Sequence, residues 1–171
     1  MTDKDQISGW FQGRLPDEWF TSAATVEFDR DEIQVVGTLA EPKLAKGASD
    51  DVRTAALVAR IQGFREDTRG QRIRIAEEAQ QVFGRKVSWG ASCGDEAAMF
   101  TTFSTPAMTR LRMEDRAVLD TLVDSGVARS RSHALAWCVR LVGQHQDEWL
   151  RELRDALAQV KKVRATGPNT S

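Results

Sequence analysis

Residues 108–142 read MTRLRMEDRAVLDTLVDSGVARSRSHALAWCVRLV, and three local patterns follow one another along them. From Ala107 onward, alternation places Ala107, Thr109, Leu111 and Met113 on one face of a strand and Met108, Arg110 and Arg112 on the other. The first face is expected to be buried and the second exposed. Glu114 and Asp115 then suit the positive end of a helix dipole. Val118, Leu119, Leu122 and Val123 give that helix an apolar side, and Gly126 is a natural stop for it. After a turn at 127–129, Ser130 or Ser132 caps a second helix with a core stripe of Leu135, Cys138, Val139 and Val142, flanked by Trp137 and Leu141.

One such unit cannot bury two helices and a lone strand, because the strand leaves its backbone groups unpaired. A homodimer with paired antiparallel strands is the expected solution. Residues 108–142 resemble the Arc/MetJ/CopG ribbon-helix-helix superfamily: Arg110-Leu111 closes the strand, LDTLVDSG spans 119–126, and ARSRSHAL spans 128–135. The resemblance implies paired strands in a DNA major groove, outward side chains on base edges, and second-helix amides on a phosphate. Carried over by position, Met108, Arg110 and Arg112 face the groove, while Arg129, Ser130, Arg131 and Ser132 form a phosphate anchor. An arginine pairing bidentately with guanine contributes roughly 1–3 kcal/mol of base discrimination. Three positions depart from the family pattern: Pro106 can occupy only the start or an unpaired position of a strand, Met108 is a poor base reader, and Asp115 stands where an apolar residue is common.

Outward from this strip, the fold class read is α+β: an N-terminal hairpin, helix and strand domain over 1–104, a ribbon-helix-helix module over 105–143, and a C-terminal helical extension over 144–164. Within residues 24–39, ATVEFDRDEIQVVGTL, two β-branched runs flank Asp29–Glu32 as in a hairpin, with Val26 and Phe28 facing Ile33, Val35 and Gly37. Residues 41–51 read as a loop. A helical stretch over 52–83 follows, with Ser49, Asp50 and Asp51 as cap candidates and a break near Gly63 or Gly70. Its Arg60, Arg65, Arg69, Arg72 and Arg74 are expected on a solvated face, neutralised by Glu66, Asp67, Glu77 and Glu78 in i,i+4 pairs, with an accessory nucleic-acid contact as the alternative. Strands are expected at 86–89 and 99–103, with WGASCGDE turning between them. That segment matches neither the phosphate-loop nor the nucleophile-elbow pattern. At the other end, Trp149, Leu150, Leu153, Leu157, Val160 and Val163 continue an apolar stripe, with a kink expected at Gly143 and a disordered tail over 165–171.

Charge is segregated although the net is −1: residues 1–51 carry 5 basic against 11 acidic side chains, and residues 52–86 carry 8 against 4. A near-neutral chain with basic faces still attracts a polyanion, since binding follows local potential. No apolar run reaches the roughly 18 residues of a membrane span, and MTDKDQISGW lacks the features of a secretion signal. A cytoplasmic, nucleoid-associated bacterial protein is expected. Cys93 and Cys138 read as reduced thiols, and no cofactor or metal is expected. The expected function is that of a homodimeric duplex-DNA-binding transcriptional regulator or nucleoid protein. The alternative is a dimeric adaptor, antitoxin-like, holding a protein or RNA-containing partner. Enzymatic activity is not expected, because no base, nucleophile and orienting group assemble from the motifs.

Overall fold

The computed structural model describes residues 3–166 and divides into two compact units between Pro106 and Ala107. The first unit is α+β. Helix α1 (Asp3–Arg14) precedes a hairpin of β1 (Thr25–Phe28) and β2 (Glu32–Thr38). Two helices, α2 (Asp50–Asp67) and α3 (Arg69–Phe83), then cross to β3 (Lys86–Cys93), which runs parallel to β2 and turns back into antiparallel β4 (Glu96–Met99). The sheet order is β1-β2-β3-β4.

The hairpin follows from its residues. Val26 pairs with Val35 and Phe28 with Ile33, the partners that alternation implies. The Asp29 carboxylate closes the turn by accepting the backbone N–H groups of Asp31 and Glu32, each at 2.8 Å. Those bonds hold its pKa below the ordinary aspartate value. Ile33 and Val35 of β2 and Trp89 of β3 meet Ile7 and Phe11 of α1 and Ile75 and Ala79 of α3 in the main core. Leu39, Leu57, Ile61, Ala91 and Cys93 form a second cluster. Gly37 belongs to the sheet because a Cβ there would lie 2.2 Å from the ring of Phe20, which packs against both clusters. Cys93 is a core residue of β3, and burial pushes its thiol pKa up, away from reactivity.

Several expectations change in this unit. Residues 3–14 add a helix ahead of the expected hairpin, because Ile7 and Phe11 stand one turn apart and are buried. The helical stretch does break near Gly70, as expected, with Thr68 at the corner. The Thr68 hydroxyl donates to the Phe64 carbonyl at 2.5 Å and accepts from Arg72 Nε at 3.0 Å, so the corner is held by side chains. WGASC continues β3, the turn is confined to Gly94-Asp95 with Gly94 at φ +55°, and the returning strand is Glu96–Met99 with no strand over 100–103. The arginine face is not closed by i,i+4 ion pairs: among the described residues none of Arg60, Arg65, Arg69, Arg72 and Arg74 lies within ion-pair distance of a carboxylate, and only the charge of Arg74 is felt by Glu78 four positions on. Glu78 instead holds Arg14 of α1 bidentately at 2.6 and 2.8 Å, which long-range packing favours over a local pair.

The second unit is helical: α4 (Met113–Asp124), α5 (Arg131–His145) and α6 (Asp147–Thr166). Its core is small, with Leu119, Ala128 and Ala134 buried and Leu111, Leu122, Val123, Leu135 and Cys138 packed round them. Gly126, at φ +78°, follows the C-terminal end of α4. The strand expected over 107–113 is not formed in the single chain: residues 101–112 carry no regular secondary structure, and Met113 is already helical. A strand needs a ladder partner, and one chain supplies none. Of its four expected buried positions, Leu111 alone is half-buried, against the α4–α5 core. The helix interruption falls at Gln146, not Gly143. Ala165 and Thr166 extend α6, and the rest of the expected tail, 167–171, lies outside the described residues.

Candidate nucleic-acid interface

The strip ahead of α4 is exposed from Met108 to Arg110, with Met108 at 99%. Arg112 is the N-cap of α4 in extended conformation, and its backbone N–H donates to the Asp115 carboxylate at 3.3 Å. Asp115 therefore has a local reason to be acidic: it takes up an N–H that the helix cannot satisfy. Arg116 Nη1 donates to the Leu111 carbonyl at 2.6 Å, tying the strip to the helix from the other side. The side chains of Arg110, Arg112 and Arg129 are exposed and, among the described residues, have no carboxylate within ion-pair distance.

At the start of α5 the cap is Ser130, whose hydroxyl oxygen accepts the His133 backbone N–H at 3.2 Å. His133 Nδ1 in turn accepts the Arg129 backbone N–H at 3.2 Å, so residues 129–133 brace one another. Ser132 sits in the first turn and is exposed. Arg131 is engaged elsewhere: its guanidinium grips the Asp120 carboxylate on α4 with bonds of 2.6 and 2.7 Å. That bidentate contact lowers the pKa of Asp120 and raises that of Arg131. The structure thus separates the residues carried over from the family pattern. Arg110, Arg112 and Arg129 present unpaired charge, Ser130 and Ser132 stand at a helix N-terminus, and Arg131 clamps α4 to α5. Sequence reasoning missed Asp120 and His133, whose roles depend on how two helices cross and on a histidine serving where glutamate or glutamine usually closes a capping box.

No helix among the described residues is long and apolar enough to cross a membrane. Nor, among them, do three or more His, Cys, Asp or Glu side chains form a group able to hold a metal ion.

These features define a two-unit α+β chain: a four-stranded mixed sheet covered by helices, and a helical unit headed by a basic, unpaired strip. The chain belongs to the Rv1265-like protein family. The model of the Rv1265-like protein N-terminal domain matches residues 5–99, and that of the Mb1296 C-terminal domain matches residues 112–164. The two leave 100–111, with Arg110, between them. Among its relatives are the uncharacterized proteins Mb1296 of Mycobacterium bovis and Rv1265 and MT1303 of Mycobacterium tuberculosis. Each is 50% identical over 167 residues, covering 98% of this chain and 72% of the relative. No solved structure matches the chain.

Proposed function

We propose that the chain is a homodimeric DNA-binding protein, acting as a transcriptional regulator or nucleoid protein, with residues 105–143 working as a ribbon-helix-helix module. In that arrangement the strips of two copies pair as an antiparallel ribbon, and Arg110 and Arg112 reach base edges in the major groove. Arg129, Ser132 and the first amides of α5 meet a backbone phosphate, where the Ser130 hydroxyl keeps its hydrogen to donate. The observation that carries this reading is the exposure of Arg110 and Arg112, without carboxylate partners, immediately before a capped helix pair. Cations left unneutralised on a short segment are suited to phosphates, whose bound counterions they displace.

One feature favours a second reading, a dimeric adaptor for a protein partner. Helix α6 is twenty residues long and buries none of them in its own chain.

Binding of the full chain to duplex DNA, followed by fluorescence anisotropy over a salt series, separates the two. The wild type is expected to bind with a log–log salt slope of roughly −0.9 per phosphate neutralised. Arg110→Ala with Arg112→Ala is expected to abolish sequence preference, with a loss of roughly 1–3 kcal/mol for each base contact removed. Absence of binding at about 50 mM salt would exclude the regulator and leave the adaptor.

A further inference from the structure

Arg72 is only 6% exposed, and each hydrogen bond it makes is to a neutral partner. Its Nε donates to the Thr68 hydroxyl at 3.0 Å and its Nη2 to the Arg65 carbonyl at 2.5 Å, while its guanidinium carbon stands 4.9 Å from the centre of the Phe100 ring. Among the described residues no carboxylate pairs with it. Burial, and then the like charges of Arg65 and Arg69, push its pKa below the ordinary arginine value. A buried guanidinium without a counter-charge is unfavourable, and an anion close by would relieve it.

A cavity of about 150 Å³ lies between α2 and β4; Arg72 does not line it, but two of its contacts do. Val58, Ile61, Met99 and Phe100 give it apolar walls, and Arg65 and Gln62 contribute polar groups. Phe100 and Arg65 belong to both features: each lines the cavity, and each touches the Arg72 guanidinium. An apolar cavity of this order holds a benzene-sized body. Glu96, in the same lining, repels anionic groups, which disfavours a long polyanion and places a ligand's charge on the Arg65 side.

We infer that this corner binds a small amphipathic anion, with a carboxylate or phosphate on Arg65, Arg69 and Arg72 supplying the surrounding positive potential, and a short apolar or aromatic body in the cavity. The site lies in the sheet-containing unit and does not rest on the DNA-binding reading. The ligand class follows from a buried cation without a carboxylate partner, in contact with Phe100 and Arg65, which also line a recess with apolar walls.

Thermal unfolding of the full chain tests it, with phenylacetate, phenyl phosphate, inorganic phosphate and benzyl alcohol as probes at matched ionic strength. Phenylacetate or phenyl phosphate is expected to raise Tm saturably, the stronger of the two identifying the headgroup, while inorganic phosphate and benzyl alcohol act at least about tenfold more weakly. Arg65→Ala and Arg72→Met are each expected to weaken the effect about tenfold or more, read against each variant's own unliganded Tm. Should Arg72→Met not fold, the exposed pair Arg65→Ala with Arg69→Ala decides. The inference is overturned by the absence of a saturable shift with either aryl anion, by inorganic phosphate matching them, by a shift that survives the arginine changes, or by duplex DNA displacing the probe in an Arg65-dependent way.

Discussion

If the chain pairs as proposed, through the exposed apolar stripe of α5, Val139→Glu is expected to dissociate that dimer while leaving the single chain folded. Val139 lies on the apolar stripe of α5, yet 66% of it is exposed in its own chain, and Val118, Val142, Leu157 and Val163 are also at least half exposed. Because it packs so little within its own unit, the substitution should change the stability of the isolated chain by about 0.5 kcal/mol or less. In a two-fold interface it counts twice. Burying the remaining two thirds of a valine is worth about 1–2 kcal/mol, given roughly 1.5–3 kcal/mol for full burial. Leaving a polar group buried and unsatisfied costs roughly a further 1–3 kcal/mol at each copy. The two copies together lose about 4–10 kcal/mol, and at about 1.4 kcal/mol per tenfold the dissociation constant rises by roughly a thousandfold or more. Sedimentation velocity from about 0.1 to 100 µM reads this directly, with far-UV circular dichroism confirming that the helices persist. A wild-type chain that stays at single-chain mass throughout, or a variant that dimerises as tightly as the wild type, would refute the reasoning.

Gly37→Ala should cost about 1–3 kcal/mol in chemical denaturation, because the added Cβ meets a Phe20 ring wedged between Trp19 and Phe64. An unchanged midpoint would mean that the ring can swing away. Ser130→Ala removes the α5 cap and should cost about 1 kcal/mol, with Ser130→Asp restoring most of it. Amide exchange at His133 is the local readout, and no change there would deny the cap. Asp29, Glu78 and Asp120 all have folded-state pKa values below their ordinary ones. Their stabilisation is therefore complete above the unfolded values of 3.8 for aspartate and 4.5 for glutamate, and is lost as pH falls through the lower folded values. Acid titration should show Asp29→Asn and Glu78→Gln flattening that loss, and an unaltered acid limb in both would contradict it.

Local rules carry far along this chain where structure is local. The β1–β2 hairpin, the stop at Gly126 and the cap at Ser130 rest on residues within a few positions of one another, and pattern and turn chemistry suffice to place them. Helix α1 is harder to see, because Gly9 and Gly13 dilute its helical signal and its buried pair, Ile7 and Phe11, is a single turn. The partners of charged residues are harder still. Arg14 finds Glu78 from 64 positions away, Arg131 finds Asp120 from 11, and Arg72 meets Phe100 through the meeting of α3 with the end of β4. No helical spacing encodes those meetings. The strip over 101–112 is a different case: its alternation is plain, but the alternation names a face and not the strand that would cover it.

The parallel pairing of β2 with β3 also sets a timetable. Thr38 and Ser92 stand side by side in the sheet but 54 residues apart in the chain. At about 5–20 residues per second of synthesis, β2 waits roughly 3 to 11 s for its neighbour to be made. Through that interval Ile33 and Val35 have no β3 beside them, and the inner edge of the hairpin offers its unpaired backbone to any strand nearby. The Asp120–Arg131 clamp closes over 11 residues and asks for no such wait. The sheet unit is thus where nascent chains are most exposed to one another, and where slower translation or a holding chaperone would matter most.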